Sequence, residues 1–104
     1  MKSTFDPFFN RLGGVENLHL MLNLQNLTFD DSNTESDSCS FTLGWDKKVE
    51  IKVIRYNKTC PIDYMIQDYY FLIFRGQTYP LHVENIFPVM CIILKGELGY
   101  DLTF

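Results

Sequence analysis

Apolar and polar positions alternate through residues 17–25, with leucines at 18, 20, 22 and 24. A period of two is the signature of a half-buried strand, so a strand is predicted here with all four leucines on one core face. Leu27 and Phe29 resume the alternation after a one-residue slip at Gln25-Asn26. A β-bulge at the slip keeps all six apolar side chains on the same side. Upstream, Asp6 as N-cap, Pro7 at the first helical position and Gly13-Gly14 as a stop delimit a short helix. Its apolar face is Phe5, Phe8, Phe9 and Leu12. So short a helix is unstable alone, so these aromatics must dock on something larger.

Residues 30–38 contain no hydrophobic position until Cys39 and read as a flexible, solvated acidic loop. Phe41, Leu43 and Trp45 then alternate with Thr42 and Gly44, residues 46–48 turn, and Val49, Ile51 and Val53 alternate with Glu50 and Lys52. The two segments read as a β-hairpin. Beyond a break at residues 57–61, Ile62, Met65, Ile66, Tyr69 and Tyr70 fall at helical spacing, with Thr59 as cap. One or two helical turns are expected there, running into a buried strand at 69–74. Residues 75–77 turn, and residues 78–83 form a strand that Pro80 confines to an edge or a bulge. The apolar run 89–94 reads as a second fully buried strand, and the alternating Leu98, Tyr100, Leu102 and Phe104 as a last short one.

The expectation is a single α+β, β-rich domain over residues 1–104. Six to seven antiparallel strands form a sheet or a small, partly closed barrel with one or two short helices. Two features of composition sharpen this. The chain contains no alanine, the strongest helix former, which disfavours an all-helical bundle. Aromatic residues reach 15 %, more than a minimal core requires.

The net charge of −4 is unevenly placed. Residues 1–46 hold two bases and seven acids, whereas residues 47–104 hold seven bases and six acids. An acidic first half repels phosphate backbones, so no direct nucleic-acid binding is expected. The apolar runs are too short to span a bilayer, so no membrane association is expected either. Three cysteines, Cys39, Cys60 and Cys91, form an odd set, and no apolar signal core follows Met1-Lys2-Ser3. Both point to a reducing, cytoplasmic setting.

No catalytic or cofactor constellation stands out. The cysteines and histidines lack the close ligand pairs of zinc sites, so no metal is expected. A Cys–His nucleophile would need Cys60 or Cys91 with His82, and no elbow or oxyanion loop accompanies them. Asp30-Asp31 lies in a solvated stretch rather than a cleft, and Gly13-Gly14 lacks the continuation of a phosphate loop. His19, on the polar face of the leucine strand, is a solvent-facing residue. The tyrosines divide between sheet packing and contact-surface use.

The reading is therefore a small acidic, non-enzymatic protein–protein interaction domain with no cofactor. In general profile it resembles immunity proteins and phage-encoded inhibitors, whose acidic face plugs a basic partner. The expected partner-binding residues are Asp30, Asp31, Glu35 and Asp37 for charge, with Trp45 and Tyr56 as aromatic anchors. The alternative is a structural or assembly subunit that self-associates into a homo-oligomer through β-edges.

Overall fold

A computed structural model describes residues 5–56, 69–82 and 84–99. Three helices and five strands follow in the order α1 (Asp6–Asn10), α2 (Val15–Leu22), β1 (Gln25–Asp30), β2 (Ser36–Leu43), β3 (Val49–Tyr56), β4 (Tyr69–Phe74), β5 (Gln77–His82) and α3 (Ile86–Leu98). The strands make one antiparallel sheet in the order β1-β2-β3-β4-β5, an open meander. The α+β, β-rich expectation holds. Among the described residues the sheet has five strands, not six or seven, and does not close into a barrel.

The hairpin read at 41–53 is present and longer than expected, running from Ser36↔Tyr56 to Leu43↔Val49. Its alternation sets the faces of the sheet: Cys39, Phe41, Leu43, Val49, Ile51 and Val53 are buried on one side. Register carries that face across β4 and β5, since Val53 opposes Leu72 and Tyr70 opposes Leu81. All three helices pack on it. Phe8 and Phe9 of α1 lie 6.2 and 5.6 Å from the ring of Phe41, and Phe5 and Phe8 lie 6.0 and 6.3 Å from Tyr70. The expectation that the N-terminal aromatics cover the sheet is met, although Phe5 rather than Asp6 is the N-cap and no side chain caps it.

The leucine alternation at 17–24 is not a strand. Residues 15–22 are α2, in which Leu18 and Leu22 are buried and Leu20 is 74 % exposed. Positions 18 and 22 satisfy a helical i, i+4 stripe as well as a period of two, so the pattern was compatible with either element. The composition VENLHLML, with one β-branched residue and mostly good helix formers, favours the helix. Asn23 ends it in the left-handed conformation at φ 53°, its N–H donating to the His19 carbonyl at 3.0 Å, while the Leu24 N–H donates to the Leu18 carbonyl at 3.4 Å. The Nδ2 of Asn23 also donates to the Gly44 carbonyl at 3.1 Å, and the Gly44 N–H donates to the Leu22 carbonyl at 2.6 Å. These bonds pin the end of α2 to the β2–β3 turn. His19 is exposed in the last turn of α2, with Nδ1 3.1 Å from the Leu24 carbonyl.

The irregularity predicted at Gln25-Asn26 does occur. Between Gln25↔Thr42 and Thr28↔Ser40 the register of β1 shifts, with Asn26 at φ 59°. Its consequence differs from expectation: Leu27 is half-buried against the core, and Phe29 is 54 % exposed, its ring 6.2 Å from Phe5.

The apolar run at 89–94 is likewise helical, inside α3. Ile86, Met90, Ile93 and Leu94 are buried at i, i+4, i+7 and i+8, and Ile92 is 74 % exposed. A continuous apolar run carries no period, so it cannot distinguish a buried strand from a helix. Pro88 falls in the first turn, where its missing N–H breaks no helical bond. Gly99 closes α3 at φ 72°, donating its N–H to the Lys95 carbonyl at 3.1 Å.

The strand at 69–74 is β4, with Tyr70, Leu72 and Phe74 buried and Phe71 and Ile73 half-buried on the other face, so it is not enclosed on both sides. Arg75 and Gly76, at φ 52° and 75°, turn it into β5. Two successive positive φ values define the type I′ hairpin turn, whose twist matches that of the strands. Among the described residues β5 pairs only with β4, which places Pro80 on an edge strand, as predicted. The helical stripe at 62–66, Thr59, Cys60 and residues 100–104 lie outside the described residues.

Cys39 is buried on β2. Burial pushes its thiol up to about 12 from 9.0, only partly opposed by a hydrogen bond from the Val53 backbone. Because the folded value is the higher one, the stabilisation it represents is present below pH 9 and is lost as the pH climbs towards 12. The stability difference between the wild type and Cys39→Ala should therefore shrink over that range. Iodoacetamide at pH 8 should alkylate Cys39 only after unfolding; labelling in the native state would contradict this burial.

Candidate functional site

The expected contact residues separate into two ends of the sheet. In a meander, the β1–β2 turn and the far end of β3 share one end, and the β2–β3 and β4–β5 turns share the other. Asp30, Asp31 and Glu35 occupy the first end with Tyr56, which pairs with Ser36. Trp45, 53 % exposed, lies at the second. The eight residues of β2 place the two ends about 25 Å apart. The structure therefore joins Tyr56 to the acidic group and removes Trp45 from it.

The polar stretch is shorter than the loop read at 30–38. Asp30 still belongs to β1, and β2 begins at Ser36. Side-chain hydrogen bonds shape what remains. Asp30 Oδ1 accepts from the Ser32 N–H at 2.9 Å and from the Ser32 hydroxyl at 2.6 Å. Asn33 Oδ1 accepts from the Glu35 N–H at 2.8 Å. Such Asx bonds replace backbone pairing in a tight turn. They present Asp31 and Glu35 outward, both exposed.

Asp37 is not a solvated loop residue. It is 8 % exposed on β2, directly across from Arg55 of β3 on the helix-covered face. The reason is parity. Asp37 shares the alternation of Cys39, Phe41 and Leu43, so strand formation from Ser36 onward turns it inward.

Tyr56 lies on the opposite face, half-exposed, with its ring 5.4 Å from Phe71 in an edge-on arrangement. Edge-to-face pairing fixes the Tyr56 ring while leaving one side accessible. Phe71 was not singled out from sequence because the unbroken run 69–74 conceals which residues face which side. The signal was its parity, opposite to that of Tyr70 and Leu72. Ile54 adds apolar surface directly across from Phe71.

Among the described residues no three of His, Cys, Asp and Glu converge as a metal site, and no helix is long and apolar enough to cross a membrane. Cys91 is half-buried on α3, and His82 is half-buried on β5, its backbone N–H bonded to Asn85 Oδ1 at 2.7 Å. Comparison of the chain with protein-family models, with curated proteins and with solved structures finds no match.

Proposed function

We infer that this chain is a small, non-enzymatic protein-binding domain, of the inhibitor or immunity type, acting in the cytoplasm on a basic protein partner. The observation that carries the reading is the convergence of Asp30, Asp31 and Glu35 with the half-exposed Tyr56 ring at one end of the sheet. Acidic groups around an aromatic anchor suit a lysine- or arginine-rich surface. The charges accelerate encounter, and the ring, held by Phe71, supplies buried area at low rotamer cost. Asp37 supports the strand that carries this end rather than touching the partner, and Trp45 stands apart from it.

The test begins with capture of the partner from the native host and measures association kinetics. Neutralising Asp30, Asp31 and Glu35 together should slow association at low salt roughly tenfold or more, with little change in stability. Tyr56→Ala should act mainly on the off-rate, and Trp45→Ala on neither rate. An on-rate indifferent to salt and to the triple variant would remove the charge part of this reading.

One observation favours the alternative of self-association through a β-edge. Among the described residues β1 pairs only with β2, and it lacks the proline that β5 carries. Its exposed Phe29 would be covered in an edge-to-edge dimer, which light scattering would detect.

A further inference from the structure

At the end of the sheet opposite the acidic turn, the face away from the helices forms a groove of about 970 Å³. That volume lies within the usual range for a small-molecule site. Its lining runs against the acidic character of the chain. Lys48 and Lys52 of the β3 side line it with Arg75 of the β4–β5 turn. Arg75 is engaged by Glu97, 2.7 Å from Nη2, and its guanidinium carbon lies 5.6 Å from the centre of the Phe74 ring. Lys48 and Lys52 are exposed, and neither has an ion-pair partner among the described residues.

The opposite wall supplies neutral hydrogen-bonding groups. Ser40 stands directly across from Lys52 and Thr42 across from Glu50. Asn26, at the bulge of β1, donates to the Thr42 hydroxyl over 3.5 Å. Ile73, across from Lys52 on the other side, gives an apolar patch. Glu50 shares the wall with the two lysines and lies between them along the chain. A single compact anion would therefore meet Glu50 as well as the lysines. Four residues of extended chain separate Lys48 from Lys52 by about 13 Å at the backbone, and flexible stems let their ammonium groups close to roughly 10 Å.

We propose that this groove is a binding site for an elongated organic bisphosphate with an anionic group at each end and a hydroxyl-bearing middle. Lys48 and Lys52 each take one terminal phosphate, and Glu50, Ser40 and Thr42 hydrogen-bond the hydroxyls between. Each terminal contact is a charge-assisted hydrogen bond, the stronger kind. Two such contacts, one from Lys52 on β3 and one from Lys48 at the end of the β2–β3 turn, account for selectivity against a monophosphate, which engages only one lysine. The site is separate from the acidic end and does not depend on the partner proposed there.

The test uses fructose 1,6-bisphosphate as the probe and fructose 6-phosphate as the single-phosphate control, titrated at low salt with amide chemical shifts recorded. Saturable binding of the bisphosphate is expected, at least tenfold tighter than the monophosphate, with shifts centred on Ser40, Thr42, Glu50, Lys52 and Gly76. Lys48→Gln and Lys52→Gln should each weaken it about tenfold or more. Both side chains are exposed, so the melting temperature should stay within a degree or two of the wild type and report intact folding. Absence of saturable binding, equal affinity for the two sugars, or affinity unchanged in both lysine variants would overturn the proposal.

Discussion

Truncating Phe8 to alanine is expected to destabilise the protein by about 3–5 kcal/mol, read as a lowered urea midpoint with an unchanged slope. Phe8 is fully buried, and it touches three partners from different parts of the chain. Its ring lies 5.2 Å from Phe9 within α1, 6.2 Å from Phe41 of β2 and 6.3 Å from Tyr70 of β4. Removing it opens a cavity where the N-terminal helix meets the middle of the sheet, and neighbouring rings cannot collapse to fill it without leaving their own contacts. A domain of this size has only about 5–15 kcal/mol of stability in total, so this variant should be close to unfolding at 37 °C. Phe9→Leu is the milder companion, since it keeps most of the buried volume. A loss below 1 kcal/mol for Phe8→Ala would mean that α1 does not seal the core.

Two leucines of α2 provide the second large effect, and the contrast between them matters more than either value. Leu22→Ala should cost about 2–5 kcal/mol, whereas Leu20→Ala should fall within about 0.5 kcal/mol of the wild type. Leu22 is 1 % exposed and sits where α2 is tied to Gly44, so its truncation leaves a void beside the β2–β3 turn. Leu20 is 74 % exposed, and alanine is the better helix former, so its loss is offset locally. In a half-buried strand the two leucines would share a face and respond alike. Equal and large losses at both positions would therefore return this segment to a strand.

The same leucines show where the reading of the chain succeeded and where it could not. Alternation alone did not decide the element: the same period of two stands in β2 and β3, which are strands, and in residues 17–25, of which 17–22 are helical. The hairpin of β2 and β3 was legible because its alternating core residues include Val49, Ile51 and Val53, all β-branched and suited to a strand. Pro80 and the Arg75-Gly76 turn were also legible, because a missing N–H and a required positive φ are local properties of the residues concerned. Segments whose pattern fits two periods were not. Leu18 and Leu22 serve a helix as well as a strand, and residues 89–94 are apolar on every side. In both, the element formed is the one that covers the sheet: α2 and α3 place Leu18, Leu22, Met90 and Leu94 in the cluster that holds Phe41 and Leu72.

The candidate contact residues divide on the same principle. That Asp30, Asp31 and Glu35 are solvated followed from their neighbours, which are polar and turn-forming. Asp37 has similar neighbours in the chain yet is buried, because β2 begins one residue before it and pairing with β3 sets its parity. Register between strands likewise brought Tyr56 beside the acidic turn, opposed Ile54 to Phe71, and sent Trp45 to the far end. Local sequence governs turns, caps and unambiguous strands because those energies act within a few residues. The choice between helix and strand for an apolar segment, and the company each side chain keeps, depend on burial against distant parts of the chain, which becomes available only when the sheet has formed.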